Sequence, residues 1–235
     1  SHGEFIYLAA EYFRHTGDTV TVRRLWPHVA RAAAYLDTLR SQRLGAEWRD
    51  PARREFFGIL PPSISHEGYS AKPMHSYWDD FWAVRGFGDA LFLARVLGDT
   101  ADARQLDASR LAFRRDFAAS IAAACTRHQI AFVPGCADLG DFDATSTTIA
   151  LSPVQAGDLA PRGAIEATFE RYWEFFTRRR DGIEKWEAFT PYEIRNIGAF
   201  VRLGWRERAH ELLAWFLDHR SPPEWAQWAE VVWNA

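Results

Sequence analysis

Two stretches of this chain end one helix and start the next within four residues: Thr16-Gly17-Asp18-Thr19 and Leu97-Gly98-Asp99-Thr100. Glycine takes the left-handed conformation that closes a helix, and Asp or Thr caps the helix that follows. Leu203-Gly204-Trp205-Arg206 repeats the device more loosely. So short a turn between two helices makes an antiparallel hairpin. The flanking residues have the right period. Phe5, Leu8, Ala9, Tyr12 and Phe13 have the spacing of one buried face, and the next helix carries Leu25, Trp26, Val29, Ala33, Leu36 and Leu39. Phe81–Leu97 runs into a helix holding Leu106, Leu111, Phe113, Phe117 and Ile121, and Tyr192–Leu203 into Arg206–His219. Segments 143–151 and 162–179 form a fourth pair. Only Ile130–Val133 reads as a strand.

The pattern predicts an all-α chain of about four helical hairpins. Gly17, Gly98 and Gly204 stand 81 and 106 residues apart, far from the roughly 34-residue period of tetratricopeptide arrays, which disfavours a solenoid. The connections between hairpins are long: 43–75, 128–142, 152–161, 180–190 and 220–235. They carry most of the Pro and Gly, and long loops in a compact domain are usually functional. Short turns at one end and long aromatic loops at the other predict an α/α toroid, active on the long-loop side. Its 235 residues are expected to be one such domain or a large fragment of it.

Charge and composition narrow the chemistry. Twenty-eight Lys and Arg against 31 Asp and Glu give no electrostatic case for nucleic acid or an anionic membrane. No apolar run reaches the roughly 18 residues of a membrane span, and the start of the chain lacks a leader pattern. Cys125 and Cys136 can pair or both stay free, but two cysteines exclude a disulfide scaffold. The histidines are scattered, with no His-x-x-x-His or Cys-x-x-Cys, so no metal or other cofactor is expected. Gly86-Phe87-Gly88 lies inside a helix and cannot be a phosphate loop. Arg178-Arg179-Arg180 suits the negative end of a helix.

The unusual stretch is Tyr77-Trp78-Asp79-Asp80-Phe81-Trp82, at the start of the third long helix. A capping role accounts for one aspartate but not for the aromatic setting. Ring faces lower the local polarity, raise a carboxyl pKa and offer platforms for the C–H faces of a sugar. Eleven tryptophans against one methionine point the same way, because Trp48, Trp78, Trp82, Trp186, Trp225, Trp228 and Trp233 fall in loops and helix starts. A shared cleft there competes with core packing as their explanation.

Three motifs, in chain order, resemble the catalytic domain of glucoamylase-type six-hairpin (α/α) glycoside hydrolases. Tyr77-Trp78-Asp79-Asp80 is similar to the family's Trp-Glu-Glu segment, whose first carboxylate is the general acid. Asp141-Phe142-Asp143-Ala144-Thr145-Ser146 is similar to its Asp-Ala-Ser helix start. Trp225-Ala226-Gln227-Trp228-Ala229-Glu230 resembles the loop carrying the general base. Asp replaces Glu at the acid position, as in trehalases, and Gly182-Ile183-Glu184-Lys185-Trp186-Glu187 resembles the trehalase segment that supplies the base. The resemblance implies inverting hydrolysis of an O-glycosidic bond in an oligo- or polysaccharide, with the two carboxyls roughly 6.5–9.5 Å apart to admit a water.

On that reading Asp79 is the acid, desolvated by Trp78, Phe81 and Trp82 and with its pKa raised by Asp80, while Glu230 or its rival Glu184 is the base. Candidate sugar contacts are His66, Glu67, Tyr77, Trp78, Asp80, Trp82, Asp143, Trp186, Gln227 and Trp228. Arg85 is placed to orient Asp79 or Asp80. Four hairpins where the family has six imply exposed apolar flanks, covered by the rest of a longer chain or by a second subunit. Two other readings stay open: a non-catalytic carbohydrate-binding relative, and a helical protein-interaction scaffold.

Overall fold

The computed structural model describes residues 1–65 and 68–234. It is mostly helical. The α-helices are α1 (His2–Thr16), α2 (Thr19–Ser41), α3 (Tyr77–Leu97), α4 (Thr100–His128), α5 (Ala144–Leu151), α6 (Ala164–Arg180), α7 (Arg195–Arg202) and α8 (Arg206–Asp218). Short 3-10 turns occupy Ala46–Trp48, Pro51–Phe56, Gly157–Leu159 and Pro191–Ile194.

The three glycine turns form as the sequence requires. Gly17, Gly98 and Gly204 all have φ near +70°, at 66, 76 and 76°. Asp18 caps α2 by accepting from the Thr21 N–H at 3.0 Å, and Asp99 caps α4 through Asp102 N–H at 3.0 Å. Asp143 does the same for α5 through Ser146 N–H at 2.9 Å.

Side-chain pairings fix the helix directions. Along α1 and α3 the contacts advance together: Gly3 meets the Trp82 backbone, Glu11 meets Arg85, Arg14 meets Asp89, and Phe13 meets Phe92. These two helices are therefore parallel. Along α3 and α4 the contacts run oppositely, with Tyr77 against Phe117 and Ser120, and Phe87 against Phe113. The start of α5 lies beside the start of α3, because the Tyr77 N–H donates to Gly135 and Gly135 abuts Asp143. The Arg195 guanidinium, opening α7, lies 5.3 Å from the centre of the Trp78 ring. Helix α3 packs on α1 and α5, and α5 packs on α7. The first helices of the four hairpins thus form a row and start at one end. That end also gathers the long connections.

Helix α3 is the centre of the core. Tyr77, Phe81, Phe87 and Leu93 are buried on different sides of it, the pattern of a helix surrounded by protein. The face of α1 expected to be buried is largely turned outward at one end of the row, where Phe5, Leu8 and Tyr12 are exposed and Ile6 and Ala10 join Ala9 against the core. At the other, α7 and α8 expose Val201, Leu213 and Leu217. Among the described residues no helix is long and apolar enough to cross a membrane.

One local expectation is corrected. Ile130–Val133 is not a strand: Ile130 N–H completes the cap of α4 on Cys125, and Val133 N–H donates to Thr168 Oγ1 at 3.0 Å. With its donors satisfied by a helix end and a side chain, the segment has no ladder to join. The strand pair instead joins two loops, β1 (Ala188–Phe189) running antiparallel to β2 (Val232–Trp233).

Candidate functional site

Asp79 sits in the first turn of α3, whose N-cap Ser76 makes no side-chain cap bond. The approach segment holds it. Ser63 and Met74 pair backbone to backbone, Ser63 Oγ accepts from Ser65 N–H at 2.8 Å, and the same hydroxyl donates to Asp79 Oδ2. Asp79 is half-buried and lines a cavity of about 350 Å³. The remaining wall comes from Ser1–Gly3 of α1, Leu36 and Leu39 of α2, and 60–65. Pro61 and Pro62 stiffen that loop.

Asp80, one residue on, has a different environment. It is fully buried, its Oδ1 accepts from Leu60 N–H at 2.9 Å, and its Oδ2 has no partner among the described residues. Burial pushes its pKa well above the carboxylate range; the Leu60 N–H opposes this and the neighbouring Asp79 adds to it. Burial therefore favours the protonated form of Asp80, which anchors the 58–62 loop and presents no surface to a sugar. One expectation changes as a result: Asp80 is enclosed in the core and is not a ligand contact.

The aromatic residues of the motif divide. Tyr77 is buried with its hydroxyl 2.9 Å from Ser120 Oγ, and Trp82 is buried against Tyr7 and Trp78 with its indole N–H unpartnered. Both are core residues, without a face for substrate. Trp78 is half-buried and keeps its contact with Arg195. Arg85 orients neither aspartate. It binds Asp89, Glu11 and the Pro153 carbonyl, tying α3 to α1 and to the end of α5.

The two glutamates expected as bases lie in the C-terminal loops. Glu184 is exposed and paired with Arg178 at 3.0 Å. Glu230 is exposed just before β2. Neither is in the wall of the cavity that Asp79 lines. Gln227 is also exposed. Trp228 donates its indole N–H to the Phe216 carbonyl at 2.8 Å, pinning this loop to α8. Asp143 spends its carboxylate on the α5 cap. His66 and Glu67 lie outside the described residues.

The tryptophans do not share one cleft. Trp48 packs with Phe56, His75 and Arg43, while Trp186 packs with Trp215, Phe189 and His219. Trp225 and Trp233 are exposed, and the Asp79 cavity has no tryptophan in its wall.

Three groups carry weight that the sequence reading did not assign. Arg179 does more than end a helix: it is buried and grips Glu193 with both terminal nitrogens (3.1 and 2.7 Å), among Phe175, Phe189 and Trp215. Glu193 also accepts from Tyr172, so this cluster fixes the turn that launches α7 and aims Arg195. His75 is buried with Nδ1 3.1 Å from Asp138, and Arg43 Nε donates to its Nε2 at 3.1 Å. The His75–Asp138 contact joins the 43–75 loop to the 128–142 loop. Ser63 is the third, legible only as a polar residue following two prolines near Asp79.

Cys125 and Cys136 are both free thiols. Burial pushes the Cys136 thiol up to about 12, with Asp141 adding to the effect. Among the described residues no three His, Cys, Asp or Glu side chains converge as metal ligands. No protein-family model, curated protein or solved structure matches this chain.

Proposed function

We propose that the chain is an arc of an (α/α) toroid and acts as an inverting glycoside hydrolase, with Asp79 as general acid. The observation that carries the reading is the position of Asp79. It lines a cavity at the end where the first helices of all four hairpins begin. A row of parallel first helices, each covered by the second helix of its hairpin, is the packing that such a ring repeats. The exposed faces of α1 and of α7–α8 are where further helices of a longer chain, or a second subunit, would continue it.

Single-displacement hydrolysis needs a proton delivered to the leaving oxygen and a base that takes one from water on the opposite face of the sugar. Ser63 fixes the Asp79 carboxyl by its hydrogen bond. Glu230 is the better base candidate, because Glu184 is committed to Arg178. A second reading, a carbohydrate-binding relative without catalysis, is favoured by one observation: among the described residues the Asp79 cavity has no second carboxylate in its wall.

The test is hydrolysis of aryl glycosides and an oligosaccharide panel by the wild type and by Asp79→Asn, Glu230→Gln and Glu184→Gln. Loss of general acid or base catalysis costs about 10²–10⁴-fold in rate. The hydrolase reading expects that loss in Asp79→Asn and in one glutamate variant, with inverted anomer observed by NMR. Binding without turnover in the wild type selects the second reading. Full activity in Asp79→Asn overturns the assignment of the acid.

A further inference from the structure

We infer that the Asp79 cavity receives the leaving group of the substrate, and that this group is an apolar aglycone. The substrate class is then a small glycoside of an alcohol or phenol. The inference rests on the proposed hydrolase site. Asp79 lines the cavity, and a general acid stands beside the oxygen that leaves. In a single displacement the base and its water sit on the opposite face of the sugar from that oxygen. The leaving-group side therefore needs the acid alone. Among the described residues this cavity has that composition, with Asp79 as its one carboxylate.

The rest of the wall has the chemistry of an apolar ligand. Leu36, Leu39, Leu60, Pro61, Pro62 and Ile64 contribute to it, and among the described residues no Trp, Tyr or Phe lines it for a sugar face to stack on. Leu36 and Leu60 are buried, whereas Ile64 is 51% exposed, so the apolar lining runs from the core out to the surface. The polar groups of the 63–65 turn are engaged with one another and with α3. Ser63 donates its hydroxyl proton to Asp79, the Ser65 N–H donates to Ser63 Oγ, and Ser65 Oγ accepts from Ser76 at 2.9 Å. The other ionisable side chain of the wall, His2, packs its ring 4.7 Å from Tyr35. A sugar brings several hydroxyls that each need a partner once removed from water, and this wall has few groups to meet them. An alkyl or aryl group needs none. At about 350 Å³ the cavity lies near the lower end of small-molecule sites, roughly 300–1,000 Å³. An apolar cavity of about 150 Å³ already holds a benzene ring. The space therefore fits a short chain or one to two rings, not the continuing sugars of a polysaccharide. Pro61 and Pro62 keep that wall preformed.

The test is hydrolysis, by the full chain, of methyl, propyl and hexyl glycosides in both anomers of glucose, galactose and mannose, beside maltotriose, galactotriose and mannotriose. The three alcohols are similar leaving groups, so kcat/KM across the series reports how the chain is held. Each methylene that passes from water to an apolar wall is expected to raise kcat/KM by up to about fourfold. For at least one sugar the hexyl glycoside is expected to exceed the methyl glycoside by about 10-fold or more, and to exceed the trisaccharide as well. Ile64→Ser is expected to cut the hexyl-to-methyl ratio about fourfold or more and to leave the methyl glycoside within about twofold. Leu39→Ala is the second variant, with the same expected direction. Far-ultraviolet circular dichroism and the thermal midpoint check that each variant keeps the fold.

A hexyl-to-methyl ratio near one overturns the inference and leaves the hydrolase standing. So does a ratio unchanged in both variants, or faster hydrolysis of a trisaccharide than of the hexyl glycoside of the same sugar. If no glycoside is turned over, isothermal titration calorimetry with the same hexyl and methyl glycosides decides. Binding that requires the hexyl chain and weakens in Ile64→Ser removes the hydrolase and keeps the cavity as an aglycone site. Binding that ignores chain length, or no binding at all, overturns the inference too.

Discussion

Gly86 and Gly88 lie two residues apart in α3, and replacing each by alanine should change stability in opposite directions. Glycine in a helix interior is less favourable than alanine by about 0.8–1.0 kcal/mol. At Gly88 an added Cβ meets nothing within 4 Å. Gly88→Ala should therefore gain most of that amount. At Gly86 the added Cβ would stand 2.9 Å from Gly3 Cα, with Ile6 Cδ1 and Leu36 Cδ1 at 3.5 Å. The close atom is backbone, so relief requires α1 to move away from α3. Overpacking of this kind costs about 1–3 kcal/mol. The propensity gain is the same at both sites, so the two variants should differ by about 1–3 kcal/mol, with Gly86→Ala the less stable.

For a chain of this length each kcal/mol moves the thermal midpoint by about 2–4 °C. Urea denaturation with a shared m-value, checked by calorimetry, reads the difference. The comparison bears on the site because Ser1–Gly3 of α1 form one wall of the Asp79 cavity, and a displaced α1 opens it. Gly86→Ala matching Gly88→Ala in stability would show that the two helices do not approach as closely as their backbones imply.

Three further outcomes follow from other groups. Arg179→Ala should cost about 1.5–3 kcal/mol, because the half-buried Glu193 carboxylate loses two charge-assisted hydrogen bonds and keeps only that from Tyr172; unchanged denaturation would refute the pair. Asp143→Ala should lose about 1 kcal/mol as a helix cap, with no ligand effect beyond that loss, and activity falling far more than stability would return Asp143 to the site. Thiol titration should find two free cysteines in denaturant and slow reaction of Cys136 in the native state, where burial pushes its thiol up to about 12; a single or absent reactive thiol in denaturant would contradict both being free.

Legibility in the sequence followed the range of each interaction. Caps and left-handed turns are local, so Gly17-Asp18 and Gly98-Asp99 announce their geometry within four residues, and the structure builds both hairpins on them. Asp143 was readable as a cap for the same reason. Burial depends on distant chain. Nothing near Trp82 indicates that Tyr7 will cover it, and nothing near Arg179 indicates that Glu193 will accept both its terminal nitrogens. Tryptophan in a loop was read as a sign of an open cleft, but Trp186 and Trp228 show that a loop can be packed by its own tryptophans against a helix. Ile130–Val133 misled because β-branched residues also serve a chain leaving a helix cap.

Asp79 and Asp80 show how far adjacent identical residues can part, and the difference is measurable. Successive helix residues are rotated by about 100°, so one carboxyl reaches the cavity while the next enters the core. Asp80 has its folded pKa raised above its unfolded value near 3.8. In this case the protonated form is the one the fold accommodates. Its favourable contribution is complete below the unfolded pKa and is lost as pH rises from there towards the folded pKa, at up to about 1.4 kcal/mol per pH unit. Asp80→Asn keeps an oxygen for the Leu60 N–H and cannot ionise. The difference in urea midpoint between wild type and Asp80→Asn should therefore grow in favour of the variant between pH 4 and 7. Asp79→Asn provides the control, since its half-buried carboxyl opens onto a cavity instead of the core. If the wild type and Asp80→Asn keep parallel profiles across that window, Asp80 is not a buried neutral acid.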